Sequence, residues 1–288
     1  LKKYTQDLQA SGRAKGKEQI VTKVVKAQGL KGPRYILEGS DLEYIKMNSN
    51  SYLGLSMHPC VIAADENATR HFGVGPGAVR FISGSYKEHI DLENILAAFH
   101  KREAAMIFSS AYVTSLGVIS SLTTNETVII SDALNHNCII NAMRMSRPAI
   151  KAIYAHNDVE DLMLKLKENA GKAKRCLVIT DGIFSMRGDH APLDKIKACC
   201  EAYECDFEEG VTLIVDDSHG VGACGINGRG TEELTGATAD VLIGTLGKAF
   251  GVNGGYVTRS NELIDYLRES APTYIYSNPI TVSESAAS

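Results

Sequence analysis

Lys248 lies in the segment GTLGKAFGVNGG (244–255), between Gly247 and Ala249, where little side-chain bulk screens its amine. An accessible lysine amine in such a setting can form an imine with a carbonyl compound, which a solvated surface lysine has no reason to do. Asp216 closes the apolar run TLIV (212–215), and His219 follows three residues later. A carboxylate at the end of a buried run needs a cationic or hydrogen-bonding partner. His136, in LNH (134–136), adds a flat imidazole suited to ring stacking or proton transfer, although a lone histidine is more often structural.

The elements that must position these groups are short apolar runs that stop abruptly at polar residues. They are MIFSSAY (106–112), TVIISDALNH (127–136), CLVITDGIFS (176–185), TLIVDDSH (212–219) and VLIGTLGK (241–248). Unalternating Val, Ile and Leu read as strands buried on both faces, hence a parallel sheet. Between them, DVEDLMLKLKENA (158–170) and APLDKIKACCEAYE (191–204) have helical spacing, with Asp158 placed as an N-cap. The alternation predicts an α/β fold built of right-handed crossovers. In such sheets ligands bind at the carboxyl ends of the strands. Ser109-Ser110, Asn135-His136, Asp181 and Ser185, Asp216 and His219, and Thr245 and Lys248 all fall at those ends. So many polar endings predict one site assembled from several strands.

Three glycine motifs offer competing chemistry. Gly220-Val-Gly222-Ala-Cys-Gly225 is a literal GxGxxG with Asp240 downstream, as in dinucleotide-binding dehydrogenases. DDSH separates it from its strand, however, and more glycine follows where a helix should begin. Gly244-Thr-Leu-Gly247-Lys248 fails as a P-loop, because Leu242 and Ala249 occupy two of its required positions. Gly73-Val-Gly75-Pro-Gly77 reads either as a rigid turn or as part of a site. The remaining set matches what pyridoxal phosphate (PLP) requires: a lysine for the imine, a carboxylate to keep the pyridine nitrogen protonated, an imidazole, and donors for phosphate.

Bulk properties narrow the class. The chain has 288 residues, 44% hydrophobic and 22% charged, with a net charge of −4. That balance gives no basic footprint for nucleic acid or an anionic membrane. No apolar run is long enough to span a bilayer, and the polar N-terminus predicts no secretory signal. Seven cysteines without a paired pattern predict reduced thiols and a cytoplasmic setting, and no cluster has the spacing of a metal site.

The longer motifs resemble the α-oxoamine synthases, PLP enzymes of aminotransferase fold type I. The resemblance runs through NSNSYLGLSMHP (48–59), GVGPGAVRFISGSYKEHIDLE (73–93), SDALNHNCII (131–140), TDGIFSMRGD (180–189), DDSHGVGACGINGRG (216–230) and GTLGKAFGVNGGY (244–256). It implies a large domain with a mostly parallel central sheet and flanking helices, over residues 46–270. An N-terminal arm would precede it at 1–45. Residues 271–288 would begin the connection to a small C-terminal domain, largely missing here, that carries a substrate-binding arginine. Lys248 would form the imine, Asp216 would pair with the pyridine nitrogen, His219 would bind the ring oxygen, and His136 would stack on the ring. Ser110, Ala111, Tyr112 and Thr245 would bind phosphate, Ser185 would orient the ring oxygen and substrate, and Asn50 would contact the amino-acid carboxylate. Ser277 would reach the phosphate of a neighbouring subunit, which implies a homodimer with shared active sites.

The implied activity is an acyl-CoA:amino acid C-acyltransferase. Within the family, GTLGKAFGVNGGY, SDALNH and YIYSNP are most similar to the glycine C-acetyltransferase branch, which joins glycine and acetyl-CoA to give 2-amino-3-oxobutyrate and CoA. The alternative is the 8-amino-7-oxononanoate synthase branch, which uses alanine and a pimeloyl thioester. Serine palmitoyltransferase lies further off. Retention of Lys248, Asp216, His219 and His136 argues against a silent partner subunit.

Overall fold

Residues 1–49 carry a helix, Lys2–Ala10, and an antiparallel pair formed by β1 (Val21–Val25) and β2 (Arg34–Leu37). They form one compact unit and residues 50–288 a second; the computed structural model describes all 288 residues.

In the second unit all five predicted runs are strands: β3 (Ala104–Phe108), β4 (Thr127–Asp132), β6 (Arg175–Asp181), β7 (Val211–Asp216) and β8 (Val241–Thr245). Two strands escape the sequence reading, β5 (Ile150–Tyr154) and β9 (Gly255–Arg259). The sheet order is β3-β9-β8-β7-β6-β4-β5. β5 is an edge strand whose residues are alternately exposed and covered, so it lacks the continuous apolar run that marks the others. β9 is the single antiparallel member, between β8 and β3; those two therefore run the same way. The parallel strands β5, β4, β6, β7 and β8 and the like-directed β3 all deliver their carboxyl ends to one edge.

Side chains alternate across this sheet and both faces are covered. In β6, Leu177 and Ile179 join a core cluster with helices Ala111–Leu122, Asn137–Met145 and Asn261–Ser270. Cys176 and Val178 pack on the other side with helices Val159–Asn169 and Leu193–Ala202. Asp158 caps the first of these, accepting from the amides of Glu160 and Asp161 at 3.0 Å each. At the far end of the chain, Pro272–Ile275 forms a single helical turn. The helix Val282–Ala287 then packs on helices Pro59–Phe72 and Lys87–Phe99. All seven cysteines are free thiols, and no helix is long and apolar enough to cross a membrane.

Candidate active site

The strand ends converge on one cavity of about 250 Å³ lined by Ser110, Ala111, Tyr112, His136, Ser185, Asp216, His219, Thr245 and Lys248, with Cys138, Asp181 and Ser218. All the proposed site residues are therefore together except Asn50 and Ser277. Asn50 is exposed, and its carbonyl accepts from the Tyr52 amide at 2.9 Å. Ser277 is half-buried on a separate small cleft with Arg80, Ser109 and Tyr274 and does not line its own chain's cavity.

Lys248 reaches the cavity from the turn after β8, held by the Gly251 amide donating to its carbonyl at 3.1 Å. Its amine forms no ion pair, and burial pulls its pKa down against the opposing charges of Asp216 and Asp181. A lysine so placed has a larger share of neutral, nucleophilic amine than a surface lysine.

Asp216 is almost fully buried at the end of β7. Its Oδ1 accepts from Ser218 Oγ at 2.6 Å and the Ser218 amide at 3.2 Å; its Oδ2 accepts from Ser115 Oγ at 2.9 Å and Cys138 Sγ at 3.5 Å. These neutral donors solvate a carboxylate but bring it no cation. A protonated ring nitrogen in the cavity would supply one. Beside it, Asp181 ends β6 in direct register with Asp216. Burial and then the neighbouring Asp216 charge hold its pKa well above the usual carboxylate range, while it accepts the His136 amide at 2.9 Å.

His136 is placed by its neighbour. Asn135 donates to Ser131 Oγ and to the Ile179 carbonyl, both at 2.8 Å, and accepts the Asp181 amide at 2.8 Å, tying the end of β4 to β6. The imidazole of His136 then caps its own helix, accepting the Cys138 amide at 3.2 Å, with its ring exposed at the cavity. His219 lines the same cavity. Burial, then the charge of Lys248, lowers its pKa to about 4, so it is neutral at physiological pH.

The anion end of the cavity is the start of helix Ala111–Leu122. Ser110 is its N-cap, accepting the Val113 amide at 3.4 Å, while the Ala111 and Tyr112 amides have no acceptor in the protein. Two free amides at the positive end of a twelve-residue helix suit a phosphate. Thr245 lines the same cavity, but its hydroxyl donates to the Gly254 carbonyl at 3.0 Å and accepts the Gly247 amide at 3.1 Å. It reaches a phosphate only by turning that proton away from Gly254. Gly255 permits the close approach of this loop: a methyl there would lie 2.3 Å from the Ala111 nitrogen.

The GxGxxG segment has a different explanation from nucleotide binding. A methyl on Gly220 would lie 2.2 Å from Asp217 Oδ1, and one on Gly222, at φ +79°, 2.6 Å from the Ala249 methyl. These glycines let the loop pack on buried Asp217 and on the turn that carries Lys248. No long helix follows them; the next is the five-residue Thr231–Thr235.

Sequence reasoning placed Asp181 among the strand-end groups of the site without assigning it a role, and it missed Ser115, Ser218 and Tyr52. Asp181, as a second carboxylate at a strand end, carried a visible signal. Ser115 and Ser218 did not, because serines in a helix and a turn have many ordinary roles. The residues present fit PLP: a free amine, an uncompensated buried carboxylate, two imidazoles and an amide pair surround one space.

Comparison with known proteins agrees with this geometry. Residues 43–288 match the family "aminotransferase class I and II". Over 248 residues the chain is 42% identical to 8-amino-7-oxononanoate synthase 1 of Bacillus velezensis, covering 85% of this chain and 61% of that protein. It is also 42% identical over 258 residues to 8-amino-7-oxononanoate synthase of Thermosipho melanesiensis, covering 89% and 63%. The chain thus spans under two thirds of the length of these relatives. A serine palmitoyltransferase variant from S. paucimobilis, solved with bound PLP–myriocin aldimine, superposes with a TM-score of 0.87 at 28% identity, covering 99% of this chain and 68% of that one. These relatives bear the names of branches read as alternatives from the sequence, not glycine C-acetyltransferase. The chain belongs to the aminotransferase class I and II family, among its PLP-dependent α-oxoamine synthases.

Proposed function

We propose that the protein is a PLP-dependent acyl thioester:amino acid C-acyltransferase of the 8-amino-7-oxononanoate synthase type, condensing alanine with a pimeloyl thioester. The observation that carries the reading is the convergence of Lys248, Asp216, His219 and His136 with the Ala111 and Tyr112 amides on one cavity. The identity of the two curated relatives favours this branch over the glycine and acetyl-CoA pairing that the sequence motifs first suggested.

Lys248 would hold the cofactor through its amine, and the Ala111 and Tyr112 amides, with Ser110, would take the phosphate. When bound, PLP supplies an electron sink that stabilises a carbanion at the amino acid's α-carbon. Asp216, which accepts four hydrogen bonds from neutral donors, would hold the ring nitrogen protonated and so maintain that sink. His136, exposed on the cavity, would cover one ring face. His219, neutral, would donate to the ring oxygen, with Ser185 beside it. Lys248 would also be the base for the α-proton, since burial lowers its pKa and so enlarges the neutral fraction of its amine. An acyl thioester bound beside it would be the acyl donor, with CoA as the leaving group and the amino acid's carboxylate released as CO2. Ser277 lies off its own cavity, which supports a pairing of two copies in which each reaches the other's phosphate.

The test is CoA release by the PLP-loaded full chain. Faster release with alanine and pimeloyl-CoA than with glycine and acetyl-CoA is the expected result. The opposite preference would return the glycine pairing, and release with neither would overturn the reading.

A further inference from the structure

Tyr52 comes from the segment NSYLGL, 167 residues before His219, and does not line the cavity. Yet its hydroxyl lies 2.6 Å from His219 Nδ1, with the two rings tilted at 51° and centroids 6.2 Å apart. This is the one hydrogen bond His219 makes through its ring, to a residue outside the cavity lining, and it leaves Nε2 as the ring nitrogen without a protein partner. We propose that Tyr52 is a positioning residue: its hydroxyl donates to Nδ1, which fixes His219 as the tautomer that carries its proton on Nε2. This inference rests on the PLP reading of the cavity.

A neutral imidazole has one N–H and one lone pair, and the partner of one nitrogen dictates the state of the other. Burial raises the pKa of Tyr52, so its phenol keeps its proton. Burial and Lys248 lower that of His219, so the ring is neutral. A protonated phenol facing a neutral imidazole at this distance can only be the donor if Nε2 is to remain an N–H. An Nε2–H facing the cavity is what a negatively charged ring oxygen, an acceptor only, requires from this side. With Tyr52 absent, the Nδ1–H and Nε2–H tautomers would compete, and the first would present its Nε2 lone pair to the same oxygen. The charged and titratable groups around His219 are Lys248, Asp216 and His136, and on the Tyr52 side Cys224.

Tyr52→Phe removes the hydroxyl and keeps the ring. The first readout needs no cofactor: long-range nitrogen–proton NMR of the full chain labelled in the histidine rings, with His219 identified by the signal lost in His219→Gln. The parent should show a single Nε2–H tautomer for His219, and Tyr52→Phe a mixture of both. The second readout is the pH titration of the visible absorbance of the PLP-loaded chain. Tyr52→Phe should shift its midpoint by about half a unit or more and lower turnover roughly three- to tenfold. In a His219→Gln background the same change should add nothing. An unchanged His219 tautomer and an unchanged titration in Tyr52→Phe would overturn the inference. A parent with no visible band on PLP addition would instead overturn the PLP reading itself.

Discussion

Asp181 and Asp216 end adjacent parallel strands in direct register, two buried carboxylates side by side facing the same lysine. Their placement separates their behaviour. Asp216 has four donors, whereas Asp181 has one amide and its neighbour's negative charge, which with burial raises its pKa. A carboxyl whose folded pKa is raised binds protons more tightly in the folded state, so it lowers stability as pH rises through that range. Asp181→Asn should therefore raise the melting temperature of the cofactor-free chain, and more at pH 8 than at pH 5. Equal effects at both pH values would contradict this. Asp216→Asn, which removes the partner of the ring nitrogen, should reduce turnover by about a hundredfold or more.

The start of helix Ala111–Leu122 supplies a second prediction. Gly255→Ala places a methyl 2.3 Å from the Ala111 nitrogen, so the Ser110–Ala111 turn must move off β9. PLP affinity, measured by absorbance titration, should weaken by about tenfold or more, because the amide pair no longer points into the cavity. Far-ultraviolet circular dichroism should stay unchanged.

How much of this was legible beforehand depended on whether a residue's signal was local. β3, β4, β6, β7 and β8 announced themselves as unalternating apolar runs, and Asp216, His219 and Lys248 by following them. β5 did not, because as an edge strand it alternates and resembles any half-exposed segment. β9, GYVTR, opens on a glycine that serves the neighbouring loop rather than its own strand. The partners of Asp216 come from residues 115, 138 and 218, and that of His219 from residue 52. Such pairings depend on which strand ends the topology brings together, which spacing along the chain does not encode. Asn50 and Ser277 were named by resemblance, and this chain alone does not carry them to the cavity.

A third prediction concerns His156, which joins the two loops bearing His136 and Ser185. It bonds Asp132 at the end of β4 at 3.0 Å and Asp189 at 3.1 Å. Burial disfavours its charge, but the two carboxylates outweigh that and its pKa is raised. The resulting stability is complete below the unfolded histidine pKa and is lost as pH rises through the folded value. His156→Ala should destabilise the chain by about 1–3 kcal/mol at pH 6 in urea unfolding, with a smaller difference at pH 9.

A fourth prediction tests the support beneath β3. Glu93 is buried, pairs with Arg80 at 2.6 Å and Arg268 at 2.8 Å, and accepts the Ile107 amide at 3.1 Å. Removing it leaves a buried guanidinium without its counter-ion. Glu93→Ala should cost about 3–5 kcal/mol of stability, read as a fall in the urea midpoint. A loss below about 1 kcal/mol would show that the pair is dispensable.

The central claim is that Lys248 is the residue that holds the cofactor. Reduction of the PLP-treated chain with borohydride, followed by peptide mass spectrometry, tests it most directly. The account predicts a phosphopyridoxyl group on the peptide containing Lys248 and on no other lysine in stoichiometric amount. A stoichiometric adduct elsewhere, or none at all, would contradict it.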